Sequence, residues 1–173
     1  MAKATIIGHR DFVGDDKWKK FLTDKIIVLI ENYGVESFYV EKKSNFVSFC
    51  CDIIRELKKD YPHVKLINVW GEYLYYNDMV DKLDLQYYDK LLRPECFIGA
   101  GKNIFVKRNQ YLIDNSDVIL FYFNENVEDR WTGRKGELPH KVRSGTRIAY
   151  EYAVKKKKRI INAFGEMKKV SRG

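Results

Sequence analysis

Apolar residues recur along this chain with two periods, and the switches between them mark out the elements. Lys3–Ile7 is a short apolar run closed by Gly8, the pattern of a buried strand. From 15 to 33, Trp18, Phe21, Leu22, Ile26, Leu29, Ile30 and Tyr33 fall at helical spacing, and Gly34 ends the run. Glu36–Val40 is a second strand. Ser44 is placed to cap the next helix, where Phe46, Phe49, Cys50, Ile53, Ile54 and Leu57 make the most regular helical stripe in the chain. Pro62 stops it, and Val64–Trp70 is a third strand.

Residues 71–100 show no clean period. Tyrosines alternate with acids and Pro94 interrupts, so loop with short helical pieces is expected. Lys102–Asn115 is helical, Val118–Phe123 a buried strand, Thr146–Lys156 a helix and Arg159–Asn162 a last strand. The polar, Gly- and Pro-bearing stretch 124–143 is expected to be a long loop, and 165–173 a basic tail. Strands that alternate with helices predict one α/β domain over 1–173, with a parallel sheet of about five strands and helices on both faces. In such sheets ligands sit at the carboxyl ends of the strands, near the point where strand order reverses. That rule selects three places: Gly8-His9-Arg10, Glu41–Asn45, and the stretch from Phe123 to Ser144-Gly145-Thr146.

Charge narrows the partners. The net charge is +8, which attracts anions such as nucleic acid, an anionic membrane or a phosphorylated small molecule, or serves solubility alone. No apolar run reaches the ~18 residues of a membrane span, and no signal-peptide pattern opens the chain. Three cysteines, two of them adjacent at Cys50 and Cys51, fit reduced thiols in a cytoplasmic protein. The run Lys155–Arg159 lies at a helix C-terminus, where cations complement the dipole. No stacking aromatics or recognisable module accompany it, so nucleic acid is not the expected partner.

The candidate chemistry gathers at the three places. Arg10 offers a planar fork of donors for phosphate or carboxylate beside a permissive Gly8 and a rim His9. The alternative is a solvated arginine and a capping histidine. Ser44 and Asn45 are the polar groups after the second strand. Arg108 and Asn109, inside the 102–115 helix, could reach the same rim, whereas Asp114–Asp117 read as turn chemistry. Ser144, Gly145 and Thr146 open a helix whose free N–H groups favour an anion, or Ser144 is an ordinary cap. No metal-ligand spacing, GxGxxG, P-loop or GxSxG pattern occurs, so no metal, no resident cofactor and no hydrolase triad is expected.

Together TIIGHR, KRNQYLIDNSDVILFY and SGTRIAYEYAVKKKKRIIN resemble the SLOG superfamily, and more narrowly its small YpsA-like, GHR-starting branch, over roughly residues 3–164. The resemblance implies a Rossmann-like sheet that binds nucleotide-derived ligands, ADP-ribose-type signals of antiphage defence among them, and homo-oligomers are common in that superfamily. It places Gly8, His9 and Arg10 on a pocket floor, makes Arg108 and Asn109 the family's arginine-asparagine pair, and makes Ser144, Gly145 and Thr146 its phosphate turn. The superfamily's enzymes carry PGGxGTxxE. Here no acid lies three residues beyond Thr146, Glu151 comes two residues too late, and Val47 stands where an acid follows the second strand. These departures point to a binder, a sensor or a sequestering protein, with nucleotide N-glycoside hydrolysis as the alternative and a nucleic-acid-binding accessory role as a third. Tyr73, Tyr75, Tyr76, Tyr87, Tyr88 or Trp131 would stack on a base, and 124–143, with Arg134, Lys135 and Arg143, would close over it.

Overall fold

Strand β1 (Ala2–Gly8) lies inside a six-stranded sheet whose strands all run parallel. The computed structural model describes residues 1–41, 44–71, 86–127, 130–132, 138 and 140–172. After β1 come α1 (Asp16–Glu31), β2 (Val35–Val40), α2 (Asn45–Leu57), β3 (Lys65–Val69) and β4 (Lys90–Leu92). Two 3-10 turns (Glu95–Phe97 and Gly101–Asn103) lead into α3 (Ile104–Asp114) and β5 (Val118–Tyr122). The chain ends with β6 (Arg130–Thr132), β7 (His140–Val142), α4 (Gly145–Lys155), β8 (Arg159–Asn162) and α5 (Ala163–Arg172). Strand order is β4-β3-β2-β1-β5-β8. The chain therefore builds outward from β1 to β4, then returns to the other side of β1 with β5. The reversal falls between β1 and β5, the arrangement of a Rossmann-like fold.

Side-chain alternation assigns the two faces. On β1, Ala4 and Ile6 pack with α1 and α2, while Ile7 packs with Ile113 of α3 and Ala149 and Ala153 of α4. On β5, Val118 and Leu120 join the first layer, and Ile119 and Phe121 the second. Both faces are covered, which is why these strands read as continuous apolar runs. Each wholly buried side chain, such as Ile54 on α2, contributes ~1.5–3 kcal/mol. Asp15 caps α1 by accepting from the Trp18 N–H at 2.8 Å.

The parallel sheet is as expected, with six strands rather than about five because Lys90–Leu92 pairs with β3. Three residues carry no readable period, and the pairing itself makes them a strand. The stretch 124–143 contains an antiparallel hairpin, with Trp131 opposite Lys141. The basic tail is helix α5, in which Ala163 and Met167 are buried while Phe164 meets Tyr122 edge-on. Its apolar stripe lies on the α1 side, where Glu166 pairs with Lys25 and Ser171 accepts from Lys17. The helix expected over 102–115 opens as a 3-10 turn before α3. The expectations for Tyr73, Tyr75, Tyr76, Arg134, Lys135 and the Trp131 side chain lie outside the described residues.

Candidate functional site

The loop that leaves β1 is held by aromatic packing. Phe12 sits 4.9 Å from Tyr122, 5.1 Å from Phe46, 5.4 Å from Trp18 and 5.5 Å from Phe49, ring centre to ring centre. Gly8 points to this side. A Cβ there would lie 2.4 Å from Phe46 Cδ1, and Phe46 is wholly buried, so packing alone requires the glycine. His9, two residues beyond Ile7, faces the opposite layer. It is 5% exposed, and its Nε2 accepts from the Asn124 N–H at 3.2 Å. Burial pushes its pKa below 6.5, the Asp11 carboxylate pulls it up, and Arg147 pushes it down. His9 is therefore neutral near pH 7, with its proton on Nδ1 (Nε2 is the acceptor).

Helix α3 supplies the wall. Arg108 is 6% exposed, and its Nη2 lies 3.1 Å from Glu41 Oε2. Glu41 directly follows β2 and shares a face with Tyr39, which packs beside Leu112 of α3. The stem of Arg108 passes Gly71, where a Cβ would come within 3.3 Å of its Cδ. A side chain at this position would press on the arginine stem, which would have to give by a few tenths of an ångström.

Helix α4 supplies the rim. Ser144 occupies its N-cap position but makes no side-chain capping hydrogen bond. Ser44, by contrast, caps α2 through the Val47 N–H at 3.5 Å, and its hydroxyl lies 2.9 Å from the Gly8 carbonyl and 3.1 Å from that of His9. The two serines thus separate: Ser44 ties two elements together, and Ser144 leaves the α4 terminus without that cap. A Cβ on Gly145 would meet no protein atom within 4 Å. Arg147 donates to the carbonyls of Glu125 at 2.8 Å and Val127 at 3.2 Å, which pins the chain after β5 beside this terminus.

These pieces enclose a cavity of about 230 Å³. Gly8, His9, Arg10, Arg108, Asn109, Ser144, Gly145 and Thr146 all line it. Ser44 and Asn45 do not: Ser44 lies behind the β1 loop, and Asn45 is exposed at the start of α2. Asp11 and Phe105, which sequence reasoning did not single out, also line the cavity, as do Glu41, selected only as the start of the segment after β2, and Arg143, expected only as part of a closing loop. The face shared by Tyr39 and Glu41 was the available signal for Glu41. The three positions singled out for a missing acid supply none to the cavity. Ala149 and Val47 are buried in the apolar layers. Glu151 is half exposed and paired with Arg143.

Part of the basic run at 155–159 makes contacts within the fold. Lys158 donates to the carbonyls of Asp114 at 3.1 Å and Ser116 at 2.8 Å. Lys156 lies 3.7 Å from Asp114, and Arg159 covers the Tyr33 ring. Among the described residues there is no cluster of metal-ligating side chains and no helix long and apolar enough to cross a membrane. Neither a protein-family model nor a curated protein matches this chain.

Proposed function

We propose that this protein binds a nucleotide-derived small molecule of the ADP-ribose or cyclic ADP-ribose type, with phosphate held at the Ser144-Gly145-Thr146 turn. One observation carries the reading: three segments far apart in sequence, at Gly8–Arg10, Arg108–Asn109 and Ser144–Thr146, line one cavity at the strand-order reversal. That is where α/β sheets bind ligands, and a helix N-terminus such as that of α4 offers N–H donors and a positive dipole end to an anion. Arg10 adds a rim cation with no ion-pair partner among the described residues. The resemblance to the SLOG superfamily supports the same ligand class and a role as sensor or sequestering protein. A cavity of about 230 Å³ is smaller than the ~300–1,000 Å³ of pockets that enclose a drug-sized ligand. It suits a phosphate and pentose, with the remainder of a larger ligand lying across the rim.

Mass spectrometry of small molecules released by heat from the purified protein tests this. An intact nucleotide-derived compound is expected. A protein that releases none, and gains no thermal stability from ADP-ribose, cyclic ADP-ribose or nucleoside monophosphates, does not have this function.

A second reading, hydrolysis of a nucleotide N-glycosidic bond, is favoured by the two carboxylates in the cavity, Asp11 and Glu41. Such a reaction needs an acid or base and a group that stabilises a developing cation. Free base released over many turnovers would establish hydrolysis, whereas stoichiometric recovery of intact ligand supports binding alone.

A further inference from the structure

Arg143 lines the cavity, yet its guanidinium is bound to Glu151, which does not line it. Both oxygens of the Glu151 carboxylate accept from Arg143 Nη2. Glu151 comes seven residues after Ser144, two helical turns along the same flank of α4 and roughly 10 Å down its axis. The pair therefore draws the arginine toward the middle of the helix and away from the N-terminus, where an anion would sit.

The strength of the pair decides what happens when an anion arrives. The two side chains are 53% and 51% exposed. An exposed ion pair shifts an equilibrium by about fivefold at most, because water screens the charges and two long side chains must be ordered. A guanidinium hydrogen-bonded to a phosphate gains about tenfold or more. The anion wins that exchange.

Little has to move. The Ile148 N–H donates to the Ser144 carbonyl at 3.0 Å, so the first turn of α4 holds the backbone beside Arg143. Only side-chain torsions change, which for an exposed residue takes nanoseconds. Arg143 directly precedes Ser144, so its Cα lies ~4 Å from that of the N-cap residue. The α4 terminus is not the only donor there. His9 is 5% exposed and lines the same cavity, and its Nδ1–H meets no acceptor among the described residues.

We infer that Arg143 is a movable anion contact of this site, held on Glu151 and transferred to a phosphate that binds at the α4 terminus. Glu151 thereby sets the affinity, as the competitor the phosphate displaces. This rests on the reading of the α4 turn as the phosphate site.

Titration calorimetry with ADP-ribose and with inorganic phosphate tests it, on the native protein, Arg143→Ala, Glu151→Gln and the double variant. Glu151→Gln should tighten binding about two- to fivefold, the worth of the pair it removes. Arg143→Ala should weaken binding about tenfold or more where residue 151 is already Gln, and by a smaller factor where the pair must first break. In the Arg143→Ala protein, Glu151→Gln should no longer tighten binding. Urea midpoints close to native in all three variants show that folding is not what changed. Equal tightening by Glu151→Gln with and without Arg143 overturns the inference, since the carboxylate would then act by repulsion alone. So does a Glu151→Gln protein that binds no tighter than native, or an Arg143→Ala protein that binds as well as native. Each of these results leaves the phosphate site standing. If the native protein binds neither probe, the phosphate site itself fails, and the inference with it.

Discussion

Arg108 of α3 meets Glu41 at the end of β2 at 3.1 Å, with side chains only 7% and 10% exposed. A helix and a strand end are thereby locked together across the cavity. Removing one partner leaves the other charge buried. Arg108→Met should cost ~3–5 kcal/mol, and replacing both residues with apolar side chains of similar volume should recover most of that loss. Urea denaturation of the single and double variants measures the difference. A double variant no more stable than the single one would show that the charges are not coupled.

Gly8 and Gly145 both line the cavity, and the structure requires them for different reasons. A Cβ on Gly8 runs into Phe46, which Phe12 and Tyr122 hold in place. Gly8→Ala should destabilise the fold by ~1–3 kcal/mol. A Cβ on Gly145 meets no protein atom within 4 Å. Gly145→Ala should leave unfolding unchanged to within ~1 kcal/mol, and Gly145→Asp should remain folded while losing ligand-induced thermal stabilisation. Undiminished stabilisation of Gly145→Asp by the ligand recovered from the protein would remove the α4 turn from the site.

Much of this was legible in the sequence, for identifiable reasons. Strands buried on both faces leave runs such as Val118–Tyr122, and α2 shows its stripe because every inward residue from Phe46 to Leu57 is apolar. Strand β4 was illegible because Lys90–Leu92 becomes a strand only by pairing with β3. Helix α5 was hidden by the lysines on its outer side. Glu41 opens a charged stretch, EKKSN, selected only as the segment that follows the second strand. Its role depends on Arg108, a contact that no local period reveals. Ser44 shows the reverse case: its cap was plain from spacing, and its hydroxyl is occupied by that cap and by the Gly8 and His9 carbonyls.

Asp89 fastens the sheet edge. Its Oδ2 accepts from the Leu66 N–H at 2.8 Å, and both its oxygens lie 2.6 Å from Lys58 Nζ. Burial raises its pKa, but the Leu66 N–H and Lys58 outweigh burial, so the carboxyl lies below 3.8 in the folded protein. The unfolded chain then binds the proton more readily. The contribution is complete above 3.8 and is lost as pH falls through the lower folded value. Asp89→Asn should cost ~1–3 kcal/mol at neutral pH, and the gap from the native protein should close in acid. Chemical denaturation from pH 7 to pH 2.5 measures it, and a gap that persists unchanged at the acid end contradicts the assignment.

His9 gives the cavity a pH dependence of the same sign, set at higher pH. Burial holds its folded-state pKa below 6.5 against the pull of the Asp11 carboxylate, and Arg147 adds to the lowering. The folded protein thus prefers the neutral ring, and the unfolded chain takes up the proton first. Stability is complete above 6.5 and declines as pH falls from there toward the lower folded value. Protonating Nε2 also removes the acceptor for the Asn124 N–H, which loosens the chain after β5 beside the α4 terminus. His9→Gln, whose amide oxygen can still accept from Asn124, should flatten the fall in urea midpoint between pH 7.5 and pH 5. A bound phosphate acts the other way, because a nearby anion favours the imidazolium. Ligand binding near pH 6 should therefore take up a fraction of a proton, visible as a calorimetric enthalpy that varies with the ionisation heat of the buffer. His9→Gln should abolish that variation, and a variant that takes up the same proton would show that another group carries it.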